Sequence, residues 1–232
     1  TPHFHPENFR INDFALEFQK RGHSITVLTA VPDYPSGKFY DGYGIFKKNK
    51  ERFNGIEIYR APLIPRGSGS NTRLMLNYIS YVIGAIFTSL FILRKKLDLI
   101  FVFEPSPITV GLPAIFIKKI KKIPICFWVL DLWPESVISA SNIKSNFIPN
   151  LLLFVVRFIY KHCDIIMVSS NGFIDSIVSK GISKDKIKYF PQWAEPIFKP
   201  VVKTMNIFAD LPENSFKIMY AGNIGEAQDF PS

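Results

Sequence analysis

"PENFRINDFALEFQKRGHSITVLTA", residues 6–30, decides the fold. Its first part reads as an amphipathic helix. Ile11, Phe14, Ala15 and Phe18 recur at three- and four-residue spacing on one face, and Gly22 supplies a C-terminal cap. The apolar run "SITVLTA" (24–30) follows at once. A helix that feeds directly into a buried strand is half of a crossover unit, and such units build parallel sheets. The pattern continues along the chain. Further strands are expected at 56–61, 98–103, 123–129 and 164–169, with a weaker one at 187–190. Helices are expected at about 9–21, 72–94, 107–120, 147–162 and 171–180. The strands carry near-continuous Val, Ile and Phe, which indicates burial on both faces. The alternation predicts an α/β class, doubly wound parallel sheet.

The ends fit this pattern less well. No strand precedes the first helix, and the chain opens on Thr1 rather than Met, so the expectation is a domain cut at its start. Periodicity fades through 200–215, where Pro200 and Pro212 sit in a mixed polar stretch. The apolar run 216–221 then leads into a loop with Gly222, Asn223 and Gly225, the way a second nucleotide-binding unit would begin. The expected division is a domain at 1–199, a linker at 200–215 and the start of another domain at 216–232. Such a fragment is expected to be inactive alone.

Composition narrows the partners. The 232 residues are 47% hydrophobic and 20% charged, enough for a packed core. A net charge of +9 suits an anionic partner. Nucleic acid is the weakest choice, because no zinc-finger or RNA-binding signature occurs and the aromatics fall in apolar runs. Cys126 and Cys163 read as reduced core residues of a cytosolic protein. Residues 74–93 carry no charge and are bracketed by Arg73 and by "RKK" at 94–96. Within them Asn77, Tyr81, Gly84 and Thr88 form a helical stripe, and "IFIKKIKKI" (115–123) adds a basic face nearby. Apolar surface beside Lys and Arg predicts a peripheral contact with an anionic membrane.

Ligands of open α/β sheets bind beyond the carboxyl ends of the strands. "FWVLDLWPES" (127–136) places Asp131 there, followed by Trp133, Pro134 and Glu135. Asp131 is either a site residue or a cap for the next helix. "PHFHPENFRIND" (2–13) gathers His3, His5, Glu7, Asn8, Phe9, Arg10 and Asp13 before the first helix, where Asn8 or Asp13 could equally serve as a cap. "FEPSP" (103–107) contributes Ser106. His3 and His5 lack a third ligand in the sequence, which argues against zinc. "RGSGSNTR" (66–73) misses both phosphate-loop patterns and reads as a flexible basic loop.

Taken in order, the segment 6–44, "EPSPITVGLPA", "VLDLWPES", "PQWAE" and "YAGNIGEAQ" resemble family 4 glycosyltransferases of the GT-B fold. The nearest group is the bacterial polysaccharide transferases related to N-acetyl-L-fucosamine transferases. The resemblance implies two Rossmann-like domains facing a cleft, the first for the acceptor and the second for a nucleotide-sugar. It also implies retention of anomeric configuration, no cofactor and no metal. By the resemblance Asp131 is the catalytic or acceptor-contacting residue, and Glu7 to Arg10 border the donor phosphates and acceptor. Gly222, Asn223, Gly225 and Gln228 match the loop opening the donor domain. The expectation is a transferase on the cytoplasmic face of the plasma membrane, joining a sugar from a UDP-sugar to a polyprenyl-diphosphate-linked glycan. The alternatives are a non-catalytic anionic glycolipid-binding module and another Rossmann-type enzyme such as an epimerase, against which the absent dinucleotide fingerprint counts.

Overall fold

Each expected apolar run up to residue 190 forms a strand. The computed structural model describes residues 1–139, 147–194, 198–200, 216 and 218–222. Helix α1 (Arg10–Lys20) leads into β1 (Thr26–Ala30), and β2 (Lys50–Phe53) turns back into β3 (Ile56–Ala61). Helix α2 (Asn71–Ile92) crosses over to β4 (Ile100–Glu104), and α3 (Gly111–Lys121) to β5 (Ile125–Val129). Then come α4 (Glu135–Ser139), α5 (Phe147–His162), β6 (Ile165–Val168), α6 (Gly172–Ser179) and β7 (Ile187–Tyr189).

The strands run parallel except β2, in the orders β1-β3-β2 and β4-β5-β6-β7. All five residues of β5 are buried, as its central place and unbroken apolar sequence require. Helix α1 covers one face with Ile11 and Ala15, over Val27, Ile56, Ile58, Phe103 and Trp128. Residues of α2, α3 and α5 cover the other, over Ala61, Val102, Phe127 and Ile166. Both cores include residues from the two strand groups, so the groups share their helical cover although no ladder joins β1 to β4 among the described residues. This is a Rossmann-like α/β domain.

Four findings correct or extend the sequence reading. β2 was not expected, because "KERF" is charged and only half-buried. It forms because Asn54 and Gly55 adopt φ of 47° and 86°, the left-handed pair of a tight hairpin turn. Secondly, residues 1–2 run beside β1: the Thr1 amino group donates to the Leu28 carbonyl at 3.2 Å, and Ala30 N–H to the Pro2 carbonyl at 3.2 Å. Thirdly, the strand expected at 216–221 does not form among residues 216 and 218–221. Phe216, Ile218 and Met219 are exposed there, since an apolar run needs partner strands to bury it. The linker residues 201–215 lie outside the described set.

The fourth correction concerns residues 66–73, which are docked rather than loose. Gly67 N–H donates to the Gly37 carbonyl at 2.9 Å, and a Cβ on Gly37 would run into the Gly67 carbonyl. Both cysteines are free and buried, and burial pushes their thiols up, to about 11 for Cys126 and about 12 for Cys163.

Candidate functional site

The loops leaving the carboxyl ends of β1, β4 and β5 meet the segment before α1 on one edge of the sheet, and two polar clusters form there. The first is built on Glu7, 3% exposed. Its Oε1 accepts from Asp33 N–H at 2.9 Å and Tyr34 N–H at 2.8 Å, and its Oε2 meets His3 Nδ1 at 2.7 Å. One carboxylate thus fastens the turn after β1 to the segment before α1. Asn12 completes the fastening by donating to the Glu7 carbonyl at 2.8 Å and accepting from His5 N–H at 3.1 Å. Next to it the buried Asp33 accepts from Arg66 N–H at 2.8 Å and Asn77 Nδ2 at 3.1 Å. Burial pushes the Asp33 carboxyl up, against the opposing pull of Arg66. His3, Asp33, Arg66, Asn77, Tyr78 and Ser106 line a small depression together with apolar residues such as Leu63 and Pro107. The Arg66 guanidinium also lies 5.4 Å from the ring centre of Tyr34.

The second cluster stands at the ends of β4 and β5, whose register pairs Glu104 with Val129. Asp131 follows two residues later, half-buried. The Trp133 indole N–H donates to Asp131 Oδ2 at 3.0 Å and fixes the direction of that carboxylate. Beneath the turn lies Glu104, fully buried, with Oε2 3.5 Å from Asp131 N–H and Oε1 without a partner. Burial, and then the neighbouring Asp131 charge, holds the Glu104 carboxyl well above the usual carboxylate range. The Tyr160 hydroxyl on α5 is also buried without a partner, and burial followed by the Glu104 charge pushes it up.

The structure sorts the sequence candidates by environment. Asp131, Trp133 and Ser106 line the carboxyl edge. Glu7 is a buried fastener whose oxygens are committed to the loops. Arg10 lies 5.3 Å from the ring centre of Trp193, which stacks at 5.9 Å on the buried Trp128. Phe9 stacks on His3 at 4.5 Å. Asn8 and Asp13 are exposed. Glu135 points away from Asp131 and binds Lys180 Nζ and Ser176 Oγ of α6, each at 2.6 Å. Burial raises the Glu135 carboxyl, but those two donors outweigh it and leave it low. His3 and His5 diverge, since His5 stacks on Phe53 at 3.8 Å. Gly222 is exposed beside Tyr220, while Asn223, Gly225 and Gln228 lie outside the described residues.

Asp33, Glu104 and Asn12 were missed as site residues. Glu104 was open to detection, as the one charged residue inside the apolar run 100–104. Asp33 and Asn12 act through contacts distant in sequence and carried no local signal. A second surface cavity, lined by Lys118, Lys119, Lys122, His162 and Asp164, lies at the amino ends of β5 and β6. The C-termini of α3 and α5 point there, and their lysines answer those helix ends rather than an anion.

A family model described as a glycosyl transferase 4-like domain matches residues 8–193. A protein of Escherichia coli (strain K12) is 24% identical over 217 residues, covering 90% of this chain and 53% of its own length. It carries a provisional name, the colanic acid biosynthesis glycosyl transferase WcaI. The chain therefore spans about half the length of the curated relative it matches.

Proposed function

The chain belongs to the glycosyl transferase 4-like family, and from that premise we propose that it is the acceptor-side half of a retaining glycosyltransferase of cell-surface polysaccharide synthesis. The donor is a nucleotide-sugar, with UDP favoured and a hexose or acetamido sugar transferred. The acceptor is a glycan on polyprenyl diphosphate, in capsule or O-antigen assembly. The reading assigns donor recognition to a second domain, with Gly222, Asn223, Gly225 and Gln228 at its start, and needs no metal. On this reading the 232 residues do not transfer sugar by themselves.

The observation that carries the proposal is Asp131, placed beyond a central strand and aimed by the Trp133 indole. A carboxylate so held can orient an acceptor hydroxyl or take up its proton as the glycosidic bond forms. The leaving group is a nucleoside diphosphate, whose developing charge calls for N–H donors and cations from the facing domain. The test is transfer by the full-length polypeptide that carries this chain. Asp131→Ala or Asn should lower turnover on the order of a hundredfold or more, the usual scale for a lost positioned acid, base or charge. Transfer within about threefold of wild type, below the range expected of a general acid or base, would return Asp131 to the role of a helix cap.

A membrane contact belongs to the same proposal, on the inner face of the plasma membrane. Helix α2 turns Asn77, Tyr81, Gly84 and Thr88 toward the sheet and leaves Met75, Ile79, Ile83, Phe87 and Phe91 exposed at four-residue spacing. On α5, Phe147, Ile148, Leu151 and Phe154 are exposed as well. Helix α2 is long and apolar enough to cross a bilayer, but it packs on β1 and β3, which favours lying on the surface. Exposed Arg73, Arg94, Lys96, Lys119 and Arg157 accompany these stripes, the composition of an interfacial surface on anionic lipid. Flotation with anionic vesicles should recover the protein, and salt should weaken recovery because the Debye length is only about 10 Å at 0.1 M. Equal recovery in the soluble fraction with and without anionic vesicles would remove the membrane from the proposal.

A further inference from the structure

We propose that Glu104 is the positioning residue for Asp131: its carboxyl group, sealed beneath the 130–133 turn, carries a proton and holds the backbone from which Asp131 projects. Three observations lead there. Glu104 is fully buried, and no ion pair reaches it among the described residues. A buried carboxylate without a cation is costly, and the group takes a proton instead. The titratable groups around it are Asp131 on the turn after β5 and Tyr160 on α5, with Glu135 of α4 also bearing on Tyr160. None of these supplies a positive charge.

The two oxygens then divide their work. Oε2 faces Asp131 N–H at 3.5 Å and must remain an acceptor, so the proton resides on Oε1, the oxygen without a partner. The strand register fixes the arrangement, because Leu130 N–H donates to the Glu104 carbonyl at 3.1 Å. Side chain and main chain of one residue therefore grip two successive amides of the turn. Asp131 is held twice, through its amide by Glu104 and through its carboxylate by Trp133. Glu104 touches no solvent, so it acts through Asp131.

The role of Asp131 in transfer rests on the function proposed above, whereas the state of Glu104 and its hold on the turn do not. The test therefore starts with the chain itself. Difference infrared spectroscopy at neutral pH should show the C=O stretch of a protonated, buried carboxylic acid, and Glu104→Gln should abolish it. In Glu104→Gln the Trp133 indole N–H resonance should stay in place, because the amide oxygen still accepts from Asp131. In Glu104→Leu, which fills the space but cannot accept, that resonance should move. In the full-length polypeptide Glu104→Leu should lower kcat on the order of tenfold, by misplacing Asp131, with KM nearly unchanged. A wild-type spectrum without the acid band, a band that survives Glu104→Gln, or an unmoved Trp133 resonance in Glu104→Leu would each overturn the proposal. If Glu104→Leu does not fold, the infrared comparison with Glu104→Gln still decides. If Asp131→Ala leaves transfer intact while the infrared and resonance results hold, the transferase reading fails and the hold of Glu104 on the turn stands.

Discussion

Glu7 and Glu104 lie about equally deep, 3% and 0% exposed, and each grips a turn at the carboxyl edge of the sheet. Glu7 meets three donors between 2.7 and 2.9 Å, two of them backbone amides. Glu104 has one long side-chain hydrogen bond, from Asp131 N–H at 3.5 Å, with the Leu130 amide beside it and a carboxylate for a neighbour. Depth alone thus does not decide what a buried acid does. The count of donors does, because each charge-assisted hydrogen bond offsets part of the desolvation that burial imposes. Where donors converge, the acid fastens loops together. Where they are missing, it keeps its proton and becomes a neutral strut that pH can disturb.

The sharpest way to break this comparison is to remove the first acid. Glu7→Ala would leave Asp33 N–H, Tyr34 N–H and the His3 ring without their acceptor. Each buried unsatisfied donor costs roughly 1–3 kcal/mol, so a loss of about 4 kcal/mol is expected. Urea denaturation of the chain measures it. A loss below about 1 kcal/mol would mean that water replaces the carboxylate easily and that the Glu7 cluster is not a fastener.

The second acid should respond to pH. With its folded-state pKa raised above the ordinary 4.5, Glu104 holds a proton that the unfolded chain releases. The unfolded state then binds fewer protons, so this group's contribution is complete below about pH 4.5 and declines as pH rises, until the folded group itself ionises. The slope approaches about 1.4 kcal/mol per pH unit. Glu104→Gln removes it. Relative to wild type, the variant should therefore gain stability as pH rises above about 4.5. Parallel stability curves for the two proteins would show that Glu104 is ionised in the fold and that the contrast with Glu7 is false.

How much of this was legible in advance follows from the range of the interactions. Strands such as 125–129 announce themselves because burial on both faces demands an unbroken apolar sequence. The place of Asp131 beyond β5 was legible for a related reason, since it is the first charged residue after such a run. The hairpin 50–61 was missed since its strand β2 is charged, although Asn54–Gly55 carried the turn signal. Glu135 was placed beside Asp131 by proximity in sequence, yet its partners are Ser176 of α6 and Lys180 just beyond it, more than forty residues away. The inverted pattern of α2 was half-legible: the polar stripe showed in the sequence, but only packing on β3 reveals that it faces inward. Gly84 allows that packing, because a Cβ there would strike the Pro62 carbonyl.

The finest division concerns the two grips on Asp131. Glu104 holds its amide and Trp133 its carboxylate, so losing the Trp133 donor should leave the turn in place and free only the side chain. Trp133→Phe keeps most of the buried ring and deletes the indole N–H. The lost hydrogen bond and a small void should together cost about 1–2 kcal/mol, the smallest of the three effects. A double-mutant cycle separates the parts. Pairing Trp133→Phe with Asp131→Ala should show a coupling of roughly 1 kcal/mol, because either change alone already breaks the bond. Pairing it with Glu7→Gln should show additivity within about 0.5 kcal/mol, as the two clusters share no partner. If Trp133 couples to Glu7 as strongly as to Asp131, the carboxyl edge is one network rather than two, and the acids at its opposite ends cannot be assigned separate duties.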